Sequence, residues 1–260
     1  MIMSTLIQNI ENGVCTLTFN RPQVFNSFNK EMALELQAAL DHCASNEEIR
    51  AVVLTGEGKA FCAGQDLAEA TDPQGPALQE IVGKHYNPII LKIRALEKPV
   101  IAAVNGVAAG AGANIALACD LVLAKESAAF IQAFSKIGLI PDSGGTFFLP
   151  RLVGAQKALA LMMTGEKVMA TDAEKMNMIY KAVPDTEFDS MVSQLAQQLA
   201  KMPTKALGLT KKAIDAGFNQ DLGAQLALEE KLQTQAGQTH DFKEGVQAFL
   251  EKRSPEFKGN

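Results

Sequence analysis

Pro99-Val100-Ile101-Ala102-Ala103-Val104-Asn105-Gly106-Val107-Ala108-Ala109-Gly110-Ala111-Gly112-Ala113-Asn114 begins as an unbroken apolar run and ends in small residues punctuated by glycine. A short apolar run without polar alternation predicts a strand buried on both faces. The portion from Gly106 predicts a loop that opens a helix over residues 109–118. Its small residues let a ligand approach the backbone, and the N–H groups at a helix start favour a negative oxygen. The same strand pattern occurs over residues 51–56, and a second glycine loop follows it, Lys59-Ala60-Phe61-Cys62-Ala63-Gly64-Gln65-Asp66-Leu67. Residues 121–124 predict another such strand. Helical stretches separate these strands, one of them over residues 75–96, so the pattern is that of parallel crossovers in an α/β layer.

Working outward, residues 13–19 alternate and are rich in β-formers, predicting a strand that stops at Asn20-Arg21-Pro22. Residues 29–44 place Met32, Leu34, Leu36, Leu40 and Cys43 at helical spacing, with Asn29 as the cap. Beyond Ser143 the pattern is mostly helical, with segments over 154–163, 171–176, 185–201, 205–216 and 222–235. There is no internal repeat and no low-complexity linker.

At 260 residues the chain is long enough for one large domain, or one with a small appendage. Hydrophobic residues at 47% and charged residues at 20% exclude long disorder. No apolar run is long enough to span a bilayer, and Met1-Ile2-Met3-Ser4 lacks the basic-then-apolar pattern of a leader, so a cytoplasmic location is expected. A formal net charge of -5 argues against a general nucleic-acid surface. An anionic ligand would need local basic residues, for which Arg21, Lys30, Lys59 and Lys252-Arg253 are the candidates. The four cysteines form no CxxC pair and only three histidines join them, which argues against a zinc site or a disulfide framework. Cys62, beside glycine, is expected to be a buried inert thiol rather than a nucleophile.

The third loop is Ile140-Pro141-Asp142-Ser143-Gly144-Gly145-Thr146, one carboxylate among small residues. Taken alone, Asp142 reads as the cap of a helix beginning near Ser143. In company with the other two loops a second reading opens. Neither glycine loop matches the spacing of a dinucleotide fingerprint or a phosphate loop. If their strand ends are adjacent, their N–H groups could instead stabilise charge on a carbonyl oxygen, and a lone acid would complete a proton-transfer site.

Five motifs in order resemble the crotonase (enoyl-CoA hydratase/isomerase) superfamily: Asn20-Arg21-Pro22 with Asn26-Ser27, KAFCAGQDL, KPVIAAVNGVAAGAG, IGLIPDSGGT and EGVQAFLEKRSPEF. The resemblance runs from about residue 5 to the C-terminus. It implies an α/β fold, a crotonase-like spiral of ββα units over residues 1–200, and a C-terminal helical trimerisation region over 201–260. Trimers or paired trimers, hexamers, are then expected. It implies an oxyanion hole from the backbone N–H groups of Gln65 and Ala111, although the family usually has glycine where Ala111 stands. Coenzyme A would run along Val24, Ala63 and Leu67, with Phe249 and Lys252 added from the last helix, that of a neighbouring subunit. No cofactor is implied beyond the coenzyme A carried by the substrate, and no metal, nucleic acid or membrane.

The two glutamates with which hydratases of the superfamily hold water align with Asn114 and Phe134. Asp142 aligns with the working acid of several isomerases and a dehalogenase. Residues 133–142 are most similar to the ring-opening 1,2-epoxyphenylacetyl-CoA isomerases of phenylacetate breakdown. The implied activity is isomerisation of a CoA thioester, with a Δ3,Δ2-enoyl-CoA isomerase, a hydratase, or a non-catalytic acyl-CoA-binding relative as alternatives. On this reading Phe134, Ile140 and Phe147 shield Asp142 and raise its pKa. Asp66 fixes its own loop, and His85 and Tyr86 line the acyl pocket.

Overall fold

The continuous apolar runs become the centre of the molecule. The structure, a computed structural model, describes residues 4–260. Its strands are β1 (Leu6–Glu11), β2 (Val14–Phe19), β3 (Ala51–Gly56), β4 (Ala60–Cys62), β5 (Val100–Val104), β6 (Val107–Ala109), β7 (Leu121–Lys125), β8 (Ala129–Ile131), β9 (Lys167–Met169) and β10 (Lys181–Val183). They form a six-stranded sheet in the order β1-β2-β3-β5-β7-β10 and a four-stranded sheet in the order β4-β6-β8-β9. The large sheet is parallel from β2 to β10, with β1 antiparallel at its edge.

The helices are α1 (Lys30–Ser45), α2 (Leu67–Ala70), α3 (Leu78–Glu80), α4 (Asn87–Ala95), α5 (Ala111–Ala118), α6 (Gly145–Val153), α7 (Ala155–Thr164), α8 (Ala170–Lys175), α9 (Phe188–Ala200), α10 (Thr204–Gly217), α11 (Leu222–Gly237) and α12 (His240–Glu251). The chain repeatedly passes from the large sheet to the small one and then into helix: β3 to β4, β5 to β6 and β7 to β8. These are the expected ββα turns. Successive residues of one strand point to opposite faces. Val52, Leu54, Ala102 and Val122 accordingly face a core that includes residues of α1, α4 and α5, while Val53, Ile101, Ala103 and Leu123 face α9. A strand covered on both sides has no polar alternation, which is why these strands were readable.

Asn29 caps α1 as expected, its side chain accepting from the Met32 N–H at 3.0 Å. Leu34 departs from the expected buried stripe and is exposed. The helix expected over residues 109–118 begins at Ala111, because residues 107–109 pair with β4 and β8 as a strand. The predicted helix over 75–96 is a composite: α3, a π-helical turn at Ile81–Tyr86, then α4. Pro88 accounts for the π turn. It has no N–H for the Lys84 carbonyl and its ring crowds that carbonyl. The Asn87 N–H reaches back five residues to Val82 O, and the Gln37 side chain donates to Lys84 O at 2.8 Å and His85 O at 3.1 Å.

Charge ties α10 to α4 and to the turn that precedes β7. Lys211 of α10 donates to the Ile93 carbonyl at 2.7 Å and to Asp120 at 2.9 Å, and Arg94 joins Asp120 at 2.9 Å to Asp215 at 2.5 Å. Among the described residues no helix is long and apolar enough to cross a membrane. Removing one partner of a buried pair leaves the other uncompensated. Asp120→Ala strips both Lys211 and Arg94 of an anion, so it is expected to cost about 3 kcal/mol in denaturant unfolding. A change under about 0.5 kcal/mol, the scale of a surface substitution, would show that the network does not hold α10.

Candidate active site

The two glycine loops meet because their strands pair. β4 runs parallel to β6, so the loops that leave them emerge side by side. Gly64 adopts φ +98°, and a Cβ on it would lie 3.0 Å from the Ala109 carbonyl oxygen and 3.7 Å from the Ala111 nitrogen. No side chain fits there. The backbones of Gln65 and Ala111 are thereby brought together. Neither N–H donates to any acceptor among the described residues. That of Ala111 is the first of α5, where no intrahelical partner exists. The alanine does not obstruct the donor, since it is the backbone that presents it.

The Gln65 loop is fastened on every side. Phe28 bridges it in parallel: its N–H donates to Gly64 O at 2.7 Å, and its carbonyl accepts from Asp66 N at 2.8 Å. Bonds to the residues on either side of Gln65 leave the Gln65 N–H turned away from Phe28. Asp66 accepts from the Ala68 N–H at 3.0 Å and from Arg21 at 2.8 Å. Burial would raise its pKa, but Arg21 and these hydrogen bonds outweigh burial and hold the carboxyl below its usual range. Asp66 therefore fixes the loop, as expected. Arg21, spent on Asp66 and on the Ser27 carbonyl, is not a free cation for a ligand. The fully buried Asn26 ties the Arg21 turn to the strand behind, donating to Glu57 O and Ala60 O and accepting from the Arg21 N–H.

Asp142 is not a helix cap. The helix begins at Gly145 and its cap position is Gly144, at φ +75°, with no side-chain cap bond. The Asp142 carbonyl accepts from Gly145 N at 2.9 Å, and among the described residues its carboxylate accepts only the Ser143 hydroxyl, also at 2.9 Å. Burial raises the carboxyl pKa and the Ser143 bond opposes that only in part. The expected shields fare differently. Phe134 is buried, but Ile140 is 80% exposed and Phe147 lies at the surface beneath Arg151.

Asn114, which aligns with a hydratase glutamate, has a role the sequence did not show. Its amide donates to the Asp142 carbonyl at 2.8 Å and accepts from Gln132 Nε2 at 2.8 Å, and both amides are buried. A Cβ on Gly145 would fall 2.3 Å from the Asn114 amide nitrogen, so this closeness needs glycine. One turn of α5 separates Ala111 from Asn114, and Asn114 holds the Asp142 backbone. Tyr86 completes the enclosure, its hydroxyl donating to Gln65 Oε1 at 2.7 Å. Tyr86 and His85 are both buried. Cys62 is buried with its thiol pushed up to about 12 by burial, so it is no nucleophile at neutral pH.

Of the residues expected to meet coenzyme A, Val24 and Ala63 lie on touching turns, the Ala63 N–H donating to Phe25 O at 3.0 Å. Leu67 follows, exposed at the start of α2. Phe249 and Lys252 are not brought to this group by contacts within the chain. They lie at the end of α12, exposed, where Arg253 pairs with Glu244 and Glu251.

A family model described as enoyl-CoA hydratase/isomerase matches residues 9–260. The chain is 48% identical to a probable enoyl-CoA hydratase of Rhodobacter capsulatus, over 100% of both proteins. It is also 48% identical to the 1,2-epoxyphenylacetyl-CoA isomerase of Escherichia coli, over 99% of this chain and 100% of the relative. The crystal structure of a putative enoyl-CoA hydratase from Streptomyces coelicolor superposes with a TM-score of 0.93 at 33% identity, covering 100% of this chain and 96% of that one.

The raised pKa of Asp142 has a sign that thermal unfolding can read. Between its unfolded and folded pKa values the folded protein binds the extra proton, so stability falls as pH rises through that window. At neutral pH the ionised group is a net cost. Asp142→Asn, neutral and of the same shape, is expected to raise Tm at pH 7, with the gain vanishing at a pH where the carboxyl is protonated in both states. A Tm that drops at pH 7 would contradict the burial penalty.

Proposed function

We propose that this chain, which belongs to the enoyl-CoA hydratase/isomerase family, isomerises an acyl-CoA thioester by moving a proton along its carbon skeleton. The observation that carries the reading is one carboxylate, Asp142, with a raised pKa, in a site with two free N–H groups, while Asn114 and Phe134 stand at the positions that the resemblance gives to the two hydratase glutamates. The thioester oxygen is held by the N–H groups of Gln65 and Ala111. As a proton leaves the carbon next to the carbonyl, charge builds on that oxygen, and one well-placed donor lowers the barrier by about 3 kcal/mol. Asp142 takes the proton, its raised pKa making it a stronger base than an ordinary carboxylate.

Asp142 returns the same proton two carbons further on, and the double bond shifts into conjugation with the thioester. Nothing is gained or lost, so one acid suffices. Hydration requires in addition a water held and split between two groups. The acyl group we assign is the ring epoxide of phenylacetyl-CoA. The carbon–carbon bond shared by its three- and six-membered rings breaks as the ring double bonds shift, giving a seven-membered oxepin, and the proton shift traps that isomer. The 48% identity to a 1,2-epoxyphenylacetyl-CoA isomerase supports this choice. A 3-enoyl-CoA would undergo the same shift.

Coenzyme A follows Val24, Ala63 and Leu67. The exposed apolar residues of α12, Phe242, Val246, Phe249 and Leu250, support assembly into a homotrimer or homohexamer in which Phe249 and Lys252 of one subunit meet the coenzyme of the next. Lys252→Ala is expected to raise KM for the thioester several-fold with kcat unchanged, the mark of binding lost equally from ground and transition states. An unchanged KM would remove Lys252 from the coenzyme site.

Exchange of the α-protons of phenylacetyl-CoA in deuterated water tests the base directly, because exchange requires only the oxyanion site and a proton acceptor. Asp142→Asn is expected to slow exchange by about 10²–10⁴-fold. Equal rates would move the base elsewhere. Binding without exchange in the wild type would favour a non-catalytic acyl-CoA carrier. Turnover of crotonyl-CoA to its hydrate, with no double-bond shift in a 3-enoyl-CoA, would identify a hydratase.

A further inference from the structure

We propose that Tyr86 is a positioning residue that holds Gln65, and through it the Gln65 N–H, in place for the thioester oxygen. The inference rests on the reading of that N–H as an oxyanion donor. The Gln65 amide is gripped at both ends. Tyr86 donates to its oxygen at 2.7 Å, and its nitrogen donates to Glu69 at 3.2 Å. Glu69 in turn accepts from the Lys30 N–H at 2.9 Å, at the start of α1, where the helix dipole favours its charge. Tyr86 also reaches the backbone by a second route. Its ring packs on Phe28 at 5.8 Å between centroids, and Phe28 is the residue that zips the peptide on each side of Gln65.

The placement of Tyr86 has its own cause. The π turn made necessary by Pro88 ends on Tyr86, and both His85 and Tyr86 are turned inward there. π turns inside helices recur at functional sites. Burial first, and then the nearby carboxylates of Asp142, Glu69 and Asp66, push the phenol pKa well above its usual value, so the hydroxyl remains a donor at any working pH. A buried phenol needs some hydrogen-bond partner in any case. If satisfying its own hydroxyl were its whole role, losing the hydroxyl would affect stability and leave the chemistry of a bound thioester untouched.

Phenylacetyl-CoA labelled with carbon-13 at the thioester carbonyl separates these roles. Bound to the wild type, its carbonyl stretch is expected at lower frequency than in water, because two donors polarise it. Tyr86→Phe keeps the ring on Phe28. It is expected to reverse a substantial part of that shift and to slow α-proton exchange roughly ten-fold with KM little changed, the scale of one hydrogen bond. Gln65→Ala, which keeps the backbone N–H, is expected to do the same. Adding Tyr86→Phe to Gln65→Ala should then cost nothing more, as for two residues acting along one path. Full wild-type shift and exchange in Tyr86→Phe, or losses that multiply in the double variant, would overturn the proposal. A wild type with no carbonyl shift would instead remove the oxyanion site itself, and the proposal with it.

Discussion

Everything in this site depends on how closely two backbones can approach. The glycine loops after β4 and β6 are separated by so little that a Cβ on Gly64 would touch the Ala109 carbonyl. Parallel pairing of two three-residue strands creates that closeness. The large sheet supplies the platform, since β3 and β5 are themselves neighbours and each feeds one of the small strands. Two N–H groups without acceptors are costly if buried without use. They persist here because strand pairing, the Phe28 bridge and the start of α5 together leave the chain no other geometry.

Around that pair, amide side chains act as spacers of fixed length. Gln65 is held between Tyr86 and Glu69, and Asn114 between Gln132 and the Asp142 carbonyl. An amide carries a donor and an acceptor at once, so it can relay orientation from one element to the next where a carboxylate cannot. Asp142 is the exception in this enclosure. It accepts a single hydroxyl, and its ionised form is destabilised by burial. A carboxylate kept under-solvated in a rigid setting is an arrangement by which proteins trade stability for reactivity.

How much of this was legible beforehand follows the physics of each signal. β3, β5 and β7 were readable because burial on both faces removes polar alternation, and α1 because Asn29 is a cap with a mechanism. The three-residue strands were not, since a strand of that length has no period. The π turn hid inside a helical pattern, although Pro88 was its visible cause. Asp142 in front of a helical run looked like a cap, and only the left-handed Gly144 shows that the helix starts two residues later than a cap at Asp142 would allow. The shielding expected of Ile140 and Phe147 failed for a related reason. Ile140 sits on an exposed turn and Phe147 on a surface face of α6, so neither of these neighbours in sequence covers the carboxylate in space. The two free N–H groups were legible as loops, and a lone acid could be read as completing a site with them if the strand ends met, but the resemblance to the family was needed to choose that reading over a cap.

Asn114 decides whether the chain is a hydratase that has lost an acid or a site built for other chemistry. Were it a mere gap, glutamate could return to it without harm. The geometry argues otherwise. The nitrogen of Asn114 is a donor that the Asp142 carbonyl accepts, at 2.8 Å and out of water. Glutamate there, ionised, has no proton to give and would set its charge against that carbonyl in a space where Gly145 has already removed every spare atom. Restoring the acid would therefore remove one of the two hydrogen bonds that the Asp142 carbonyl accepts. The proposed isomerase reading is supported by this fit of the Asn114 amide to the Asp142 carbonyl as well as by Asp142 itself.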